Sequence, residues 1–247
     1  MSTQTLDNQT VIVTGASSGI GEATARALVE NGAQVMLAAR REGRLKELKE
    51  ELNKIKPNVA EYKVTDVTQK AQVDDLFEAT KKHFGGVTGL INNAGLMPLS
   101  MLAKNRVEEW EQMVDVNIKG VLYGISGAIS AMKDGGHVVN VSSVAGHKVF
   151  PGSAVYSGTK FAVRAISEGM RQELGDKIRV TIISPGAVDT ELANTIEDED
   201  ILKQMSGMQD IAIDSEHIAN SIVYALSQPE QVSVSEIIVR PTQQTSM

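Results

Sequence analysis

The stretch Val11-Ile12-Val13-Thr14-Gly15-Ala16-Ser17-Ser18-Gly19-Ile20-Gly21 decides how the rest of the chain is read. A short β-branched run stops at a glycine-rich turn, and Glu22 to Asn31 then carries helical periodicity until Gly32 ends it. Strand, tight turn and helix in that order open a parallel α/β unit. The alternation continues outward from there. Gln34 to Ala39, Glu61 to Val64, Gly89 to Asn92, His137 to Val141, Val180 to Ile183 and Glu236 to Arg240 read as strands. Arg44 to Lys54, Ala71 to Phe84, Val107 to Met132, Ala154 to Leu174 and Ile218 to Ser227 read as helices. Near-continuous Val/Ile/Leu strands separated by helices predict parallel strands covered on both faces. Right-handed crossovers then give a doubly wound, Rossmann-type α/β sheet of about seven strands.

Composition bounds what such a sheet can serve. The chain has 247 residues, and its 42% hydrophobic content is enough to build a core. No internal repeat, linker or composition break divides it, so a single domain over residues 1–247 is expected. With 24 Lys+Arg against 31 Asp+Glu the net charge is −7, which disfavours nucleic acid or an anionic membrane as partner. Cysteine is absent, excluding disulfides, thiolate catalysis and cysteine-ligated zinc. The histidines His83, His137, His147 and His217 are scattered without metal-ligand spacing, so no metal site is expected. Met1 to Thr10 is polar and no apolar run is long enough to span a membrane, which predicts a cytoplasmic protein.

The turn Thr14 to Gly21 carries the first chemistry. Its glycines let the backbone bend tightly and approach a pyrophosphate, while the following helix offers free N–H groups and a positive dipole end. The spacing is G-x3-G-x-G, different from the G-x-G-x-x-G fingerprint, and no Gly-Lys-Ser/Thr follows as in a P-loop. Where an NAD site of this fold places a carboxylate against the ribose, the second strand ends Ala38-Ala39-Arg40-Arg41. Two guanidinium groups there suit a 2′-phosphate, which points to NADP(H); the plainer reading makes both arginines solvated surface.

Tyr156-Ser157-Gly158-Thr159-Lys160 opens a helix, and the four-residue spacing puts Tyr156 and Lys160 on one face. A phenol is too weak an acid for neutral pH, and a nearby ammonium is expected to bring it into range. Ser143 follows the strand ending at Val141, the end at which doubly wound sheets hold their sites, and its hydroxyl suits a carbonyl oxygen that Tyr156 protonates.

Together these motifs resemble the short-chain dehydrogenase/reductase family of the single-domain type, over essentially the whole chain. Asn92-Asn93-Ala94-Gly95 after the fourth strand, Asp115-Val116-Asn117, and Pro185-Gly186-Ala187-Val188-Asp189-Thr190 after the sixth belong to the same pattern. The resemblance implies a nicotinamide-dependent reductase or dehydrogenase acting on a small carbonyl or alcohol substrate. It implies Tyr156 as acid/base, Lys160 as its pKa-lowering partner and ribose ligand, Ser143 as substrate-orienting group and Asn117 as support for a water relay. It places Gly15, Ser17, Ser18, Gly19, Ile20 and Gly21 on the pyrophosphate side, with Arg40 and Arg41 on the 2′-phosphate. Asp66 and Val67 would meet the adenine. Asn92, Ala94 and Gly95 would lie on the adenosine side, and Pro185, Gly186, Val188 and Thr190 at the carboxamide end. Ala-Ala-Arg-Arg and the ending Glu236 to Thr242 resemble the subgroup of clavulanic acid dehydrogenase and NADP-dependent serine/3-hydroxy acid dehydrogenases. Ser18 departs from the family pattern, in which many NADP members carry a basic residue there, so Arg40 and Arg41 must discriminate. A catalytically silent NADP-binding sensor or scaffold is the rival reading; intact Ser143, Tyr156 and Lys160 argue against it.

The irregular stretch near 188–215 holds the run Glu197-Asp198-Glu199-Asp200, readable as a solvated helix face or as part of a substrate lid. Met97, Met205 and Met208 are either core filler or the flexible wall of a permissive apolar pocket. Surplus apolar residues on two helices, Val114, Ile118, Val121, Leu122, Ile125 and Ile129 on one and Phe161, Ala162, Ala165, Ile166 and Met170 on the other, predict a homotetramer, as the resemblance also implies.

Overall fold

The computed structural model describes residues 5–132 and 135–245; the first four residues of the polar start and the outermost ends of the expected domain lie outside it. Seven strands form one parallel sheet. They are β1 (Thr10–Thr14), β2 (Gln34–Ala39), β3 (Ala60–Val64), β4 (Gly89–Asn92), β5 (Gly136–Val141), β6 (Ile178–Pro185) and β7 (Glu236–Val239). Their order across the sheet is β3-β2-β1-β4-β5-β6-β7. The chain therefore runs outward from β1 to β3, returns to the middle, and runs outward again through β4 to β7. That reversal leaves a crevice beyond the ends of β1 and β4, the switch point where this fold binds ligands.

Strand alternation divides the core between two layers. Val11 and Val13 face one side with Val35 and Leu37. They pack beneath α1 (Gly19–Glu30), α2 (Glu42–Ile55) and α8 (Ser215–Leu226) through Leu28, Leu45, Leu52, Ile218 and Ile222. Ile12, Met36 and Leu90 face the other side. They pack beneath α3 (Lys70–Phe84), α5 (Gly120–Ala131) and α6 (Ala154–Leu174) through Leu76, Phe77, Ile125 and Val163. The register Val11↔Val35 and Ile12↔Leu90 keeps these rows aligned.

Two local readings of the sequence are corrected. The helix expected to start at Glu22 starts at Gly19, inside the glycine turn, so its first N–H groups belong to the turn itself. The stretch Val107 to Met132 is not one helix. It divides into α4 (Val107–Val114), a π-helical turn (Asp115–Lys119) and α5. At that turn Gly120 N donates to Asp115 O, one residue wider than an α-helical bond. Within this turn Asn117 is buried, and its side chain binds the backbone of Leu96.

Candidate active site

The glycine turn is built against the loop that leaves β4. Gly15 has φ +66°, and a Cβ there would come within 2.8 Å of Asn93 Nδ2 and 2.9 Å of Ala94 Cα. No side chain fits that contact, which is why the position requires glycine. Thr14 ties the two loops from the strand side: its Oγ1 accepts from Asn93 N at 3.0 Å and Ala94 N at 3.1 Å. Gly21 faces inward on Gly15 O, so it shapes the turn and does not line the crevice. Gly15, Ser17, Ser18, Gly19 and Ile20 line it, as do Ala94 and Gly95.

Asn92 does not join them. Its side chain is buried and donates to Asn140 Oδ1 at 2.8 Å, and Asn140 Nδ2 donates in turn to Ser167 Oγ. Its neighbour Asn93 is the residue at the crevice. Beyond β3, Thr65, Asp66 and Val67 close one end; Asp66 Oδ1 accepts from Thr68 N and Oγ1, holding that loop in shape.

The two arginines after β2 behave differently. Arg41 lies along the glycine turn, with Nε 3.1 Å from Ser17 Oγ and Nη2 2.6 Å from Ser18 Oγ. Its Nη1 reaches Glu191 Oε2 at 2.7 Å. Arg40 is exposed and, among the described residues, makes no ion pair or side-chain hydrogen bond, so its charge is available at the same end of the crevice.

Tyr156 and Lys160 stand one above the other near the start of α6, both buried, and Ser143 faces them from the end of β5. Lys160 Nζ donates to Val141 O at 2.9 Å and lies 5.7 Å from the Tyr156 ring centre. Burial pushes the phenol up to about 12, with the Ser143 hydroxyl pulling the other way. Burial also pushes Lys160 down to about 8. The expected lowering of the phenol by the ammonium is thus not what this environment gives. Desolvation dominates both groups, and the ammonium is engaged by the Val141 carbonyl. Asn117 is buried behind this group: its Oδ1 accepts from Leu96 N, and its Nδ2 donates to Leu96 O and Thr159 Oγ1. Thr159 Oγ1 donates to Tyr156 O at 2.7 Å, so Asn117 braces the helix that carries Tyr156 and is not itself a lining residue.

Pro185, Gly186, Val188 and Thr190 form the far rim. The segment after Val188 leaves and returns at one place, because Asp189 N donates to Ile213 O at 2.9 Å and Ile213 N to Ala187 O at 3.1 Å. Between them lie a 3₁₀ turn (Glu191–Thr195) and α7 (Glu199–Gln209). The acidic run is not simply a solvated face. Asp198 is buried, caps α7 through Asp200 N and Ile201 N, and pairs with Lys104 at 2.7 Å. Glu197 pairs with Arg106 at 3.3 Å. These partners, and Gln244, whose Oε1 accepts from Ala187 N at 2.9 Å, carry no local signal in the sequence.

The cavity beneath this segment has a volume of about 1200 Å³, ample for a dinucleotide and a small substrate together. Around Tyr156 its inner wall is apolar, formed by Leu96, Met97, Ile196, Ile201 and Met205. Among the described residues no cluster of three His, Asp or Glu is placed to hold a metal, and no helix is long and apolar enough to cross a membrane.

A parallel sheet with a glycine turn at its switch point, and Ser143, Tyr156 and Lys160 beside it, defines a nucleotide-dependent α/β oxidoreductase. A family model for short chain dehydrogenases matches residues 9–201, and the chain belongs to that family. It is 51% identical to an uncharacterized oxidoreductase of Staphylococcus saprophyticus, over 96% of this chain and 98% of that one. Among solved structures, the closed form of serine dehydrogenase complexed with NADP+ matches with a TM-score of 0.87 and 31% identity, covering 96% of this chain and 97% of that one. A short-chain dehydrogenase/reductase from Burkholderia phymatum in complex with NAD matches with a TM-score of 0.86 and 25% identity, covering 96% and 90%.

Proposed function

We propose that the chain reduces ketones or aldehydes, or oxidises the corresponding alcohols, with NADP(H) as cofactor. The observation that carries this reading is the meeting of Ser143, Tyr156 and Lys160 with the glycine turn in one crevice. The residues present fit the cofactor. Left-handed glycines at 15 and 19 leave room for a pyrophosphate. The β2 end offers Arg40 and Arg41 and no carboxylate for a free ribose hydroxyl. Asp66 and Val67 would hold the adenine, Lys160 and Tyr156 the nicotinamide ribose, and Val188 with Thr190 the carboxamide. The bound nicotinamide supplies or accepts the hydride.

The chain's own residues handle the oxygen. Ser143 donates a hydrogen bond to the carbonyl oxygen and fixes its position. Tyr156 gives its phenolic proton to that oxygen as it gains negative charge. The Lys160 ammonium, 5.7 Å from the ring centre, offsets part of the burial penalty on the phenolate left behind, and Asn117 holds the helix that presents both. With its pKa pushed up to about 12 the phenol is protonated at neutral pH and carries the proton that a reduced carbonyl needs, which supports the reductive direction.

The apolar inner wall supports a carbonyl compound with aliphatic or aromatic substituents over a small hydroxy acid such as serine. A panel of apolar ketones, aldehydes and hydroxy acids, followed by the absorbance of reduced nicotinamide, tests this; a preference for hydroxy acids would reverse it. We further propose that the segment 188–215 acts as the substrate lid, and that the chain works as a homotetramer. Exposed Leu122 and Ile129 on α5 and Phe161 on α6 support the second point, which sedimentation equilibrium checks.

A further inference from the structure

We propose that Glu191 tunes the discrimination between NADP(H) and NAD(H), by occupying the Arg41 guanidinium that a 2′-phosphate needs. The inference rests on the reading of the crevice as a nicotinamide-dinucleotide site. Glu191 opens the lid segment, directly after Thr190, whose side chain packs on Gly19. Its Oε2 lies 2.7 Å from Arg41 Nη1 and its Oε1 lies 3.5 Å from Arg44 Nη2. Arg41 in turn holds Ser17 and Ser18 of the glycine turn. The carboxylate therefore stands at the phosphate end of the crevice, beside Ser18 of the turn and the Arg41 guanidinium. The Arg41 hydrogen bond, above all, holds the Glu191 carboxyl below the ordinary carboxylate range, so it is ionised at neutral pH.

Carboxylate and phosphate are both anions that fit the guanidinium fork, so they compete for it. A 2′-phosphate arriving at Arg40 and Arg41 must take Nη1 from Glu191 and sit near its negative charge. NAD(H) has a free hydroxyl at this position and meets neither cost. Glu191 thus weakens NADP(H) selectively, and Arg40, which has no such competitor among the described residues, carries most of the phosphate recognition. Because the pair is partly exposed, at 47% and 43% of the side-chain surface, solvent screens it and the effect is modest.

The test is direct binding of NADPH and NADH to the full chain by fluorescence or calorimetry, for the wild type and for Glu191→Gln, Arg41→Met and the double variant. Glu191→Gln should tighten NADPH by about three- to tenfold and leave NADH within about twofold. In the Arg41→Met background the same change should gain less than about half as much on a logarithmic scale, because the contested group is gone. An unchanged NADPH-to-NADH ratio in Glu191→Gln, or weaker NADPH binding, would overturn this inference while leaving the dinucleotide site intact. A wild type that binds neither dinucleotide would overturn the site and the inference together.

Discussion

Lys160 is a buried cation, and its burial should be visible in stability as well as in turnover. In the fold it falls from its ordinary 10.5 to about 8 because desolvation penalises the ammonium. The unfolded chain therefore binds more protons than the folded one between these two values, so the folded state gains stability as pH rises through that window. Below it, the fold holds a charged lysine that water would solvate better. At about 1.4 kcal/mol for each pH unit separating the values, the cost relieved between about pH 7 and about pH 10 is on the order of 2–3 kcal/mol. Lys160→Met keeps most of the buried stem and removes the titration. It also removes the hydrogen bond to Val141 O, a loss of about 1.5–3 kcal/mol while the amine is charged. The absolute stability of the variant at neutral pH is set by two terms of similar size, so the slope is the decisive quantity. Chemical denaturation of both proteins without cofactor should show the advantage of Lys160→Met shrinking by about 2–3 kcal/mol from pH 7 to pH 10. Parallel curves across that range would refute the claim that a charged lysine is buried at a cost.

Tyr156→Phe should lower turnover by about 10²–10⁴-fold and leave the Kd for NADPH nearly unchanged, since only proton transfer is lost; wild-type kcat would remove Tyr156 from the mechanism. Arg40→Ala should weaken NADPH by about tenfold or more and barely affect NADH, measured by titration. Reductive turnover should decline as pH rises through about 8, because the Lys160 ammonium is then lost, and a flat profile to pH 10 would count against its role. Gly15→Ala forces a left-handed backbone on a side chain 2.8 Å from Asn93 Nδ2, and should cost about 1–3 kcal/mol in thermal unfolding.

Much of this was legible because it is local. Strand alternation in Val11 to Val13 reports the two faces of the sheet, and the glycines report a turn no other residue makes. The four-residue spacing from Tyr156 to Lys160 reports a shared helix face. What sequence could not carry was long-range partnership. Asn92 and Asn93 are adjacent and chemically identical, yet pleating sends the first to Asn140 and leaves the second at the turn. Val107 to Met132 is apolar enough for one helix, and the π turn within it holds Asn117 against the distant backbone of Leu96. The run from Glu197 to Asp200 reads as solvated because its cations, Lys104 and Arg106, lie in another loop. The phenol illustrates the same limit in electrostatics: spacing identifies the neighbour, but burial sets the sign of the shift.

The walls of the crevice differ in what holds them. The Ser143 loop is strapped from behind by a half-buried network. Glu236 accepts from His147 Nε2 at 2.7 Å, from Ser184 Oγ at 2.8 Å and from Arg164 Nη2 at 3.2 Å. Arg164 Nη1 also donates to Gly146 O at 3.1 Å, and Ser142 Oγ donates to Lys160 O at 3.1 Å. These bonds join β5, α6 and β7 behind Ser143, Tyr156 and Lys160, so moving the Ser143 loop would break several of them at once. Across the crevice, the segment 188–215 is tied at its base by two backbone bonds, is anchored along its length by buried Ile196, Asp198 and Ile201, and also makes ion pairs that water reaches. Pairs of that kind contribute little and exchange readily with solvent. The Ser143 wall is thus held by side-chain hydrogen bonds that reach β7, while the opposite wall depends on the buried anchors Ile196, Ile201 and Asp198.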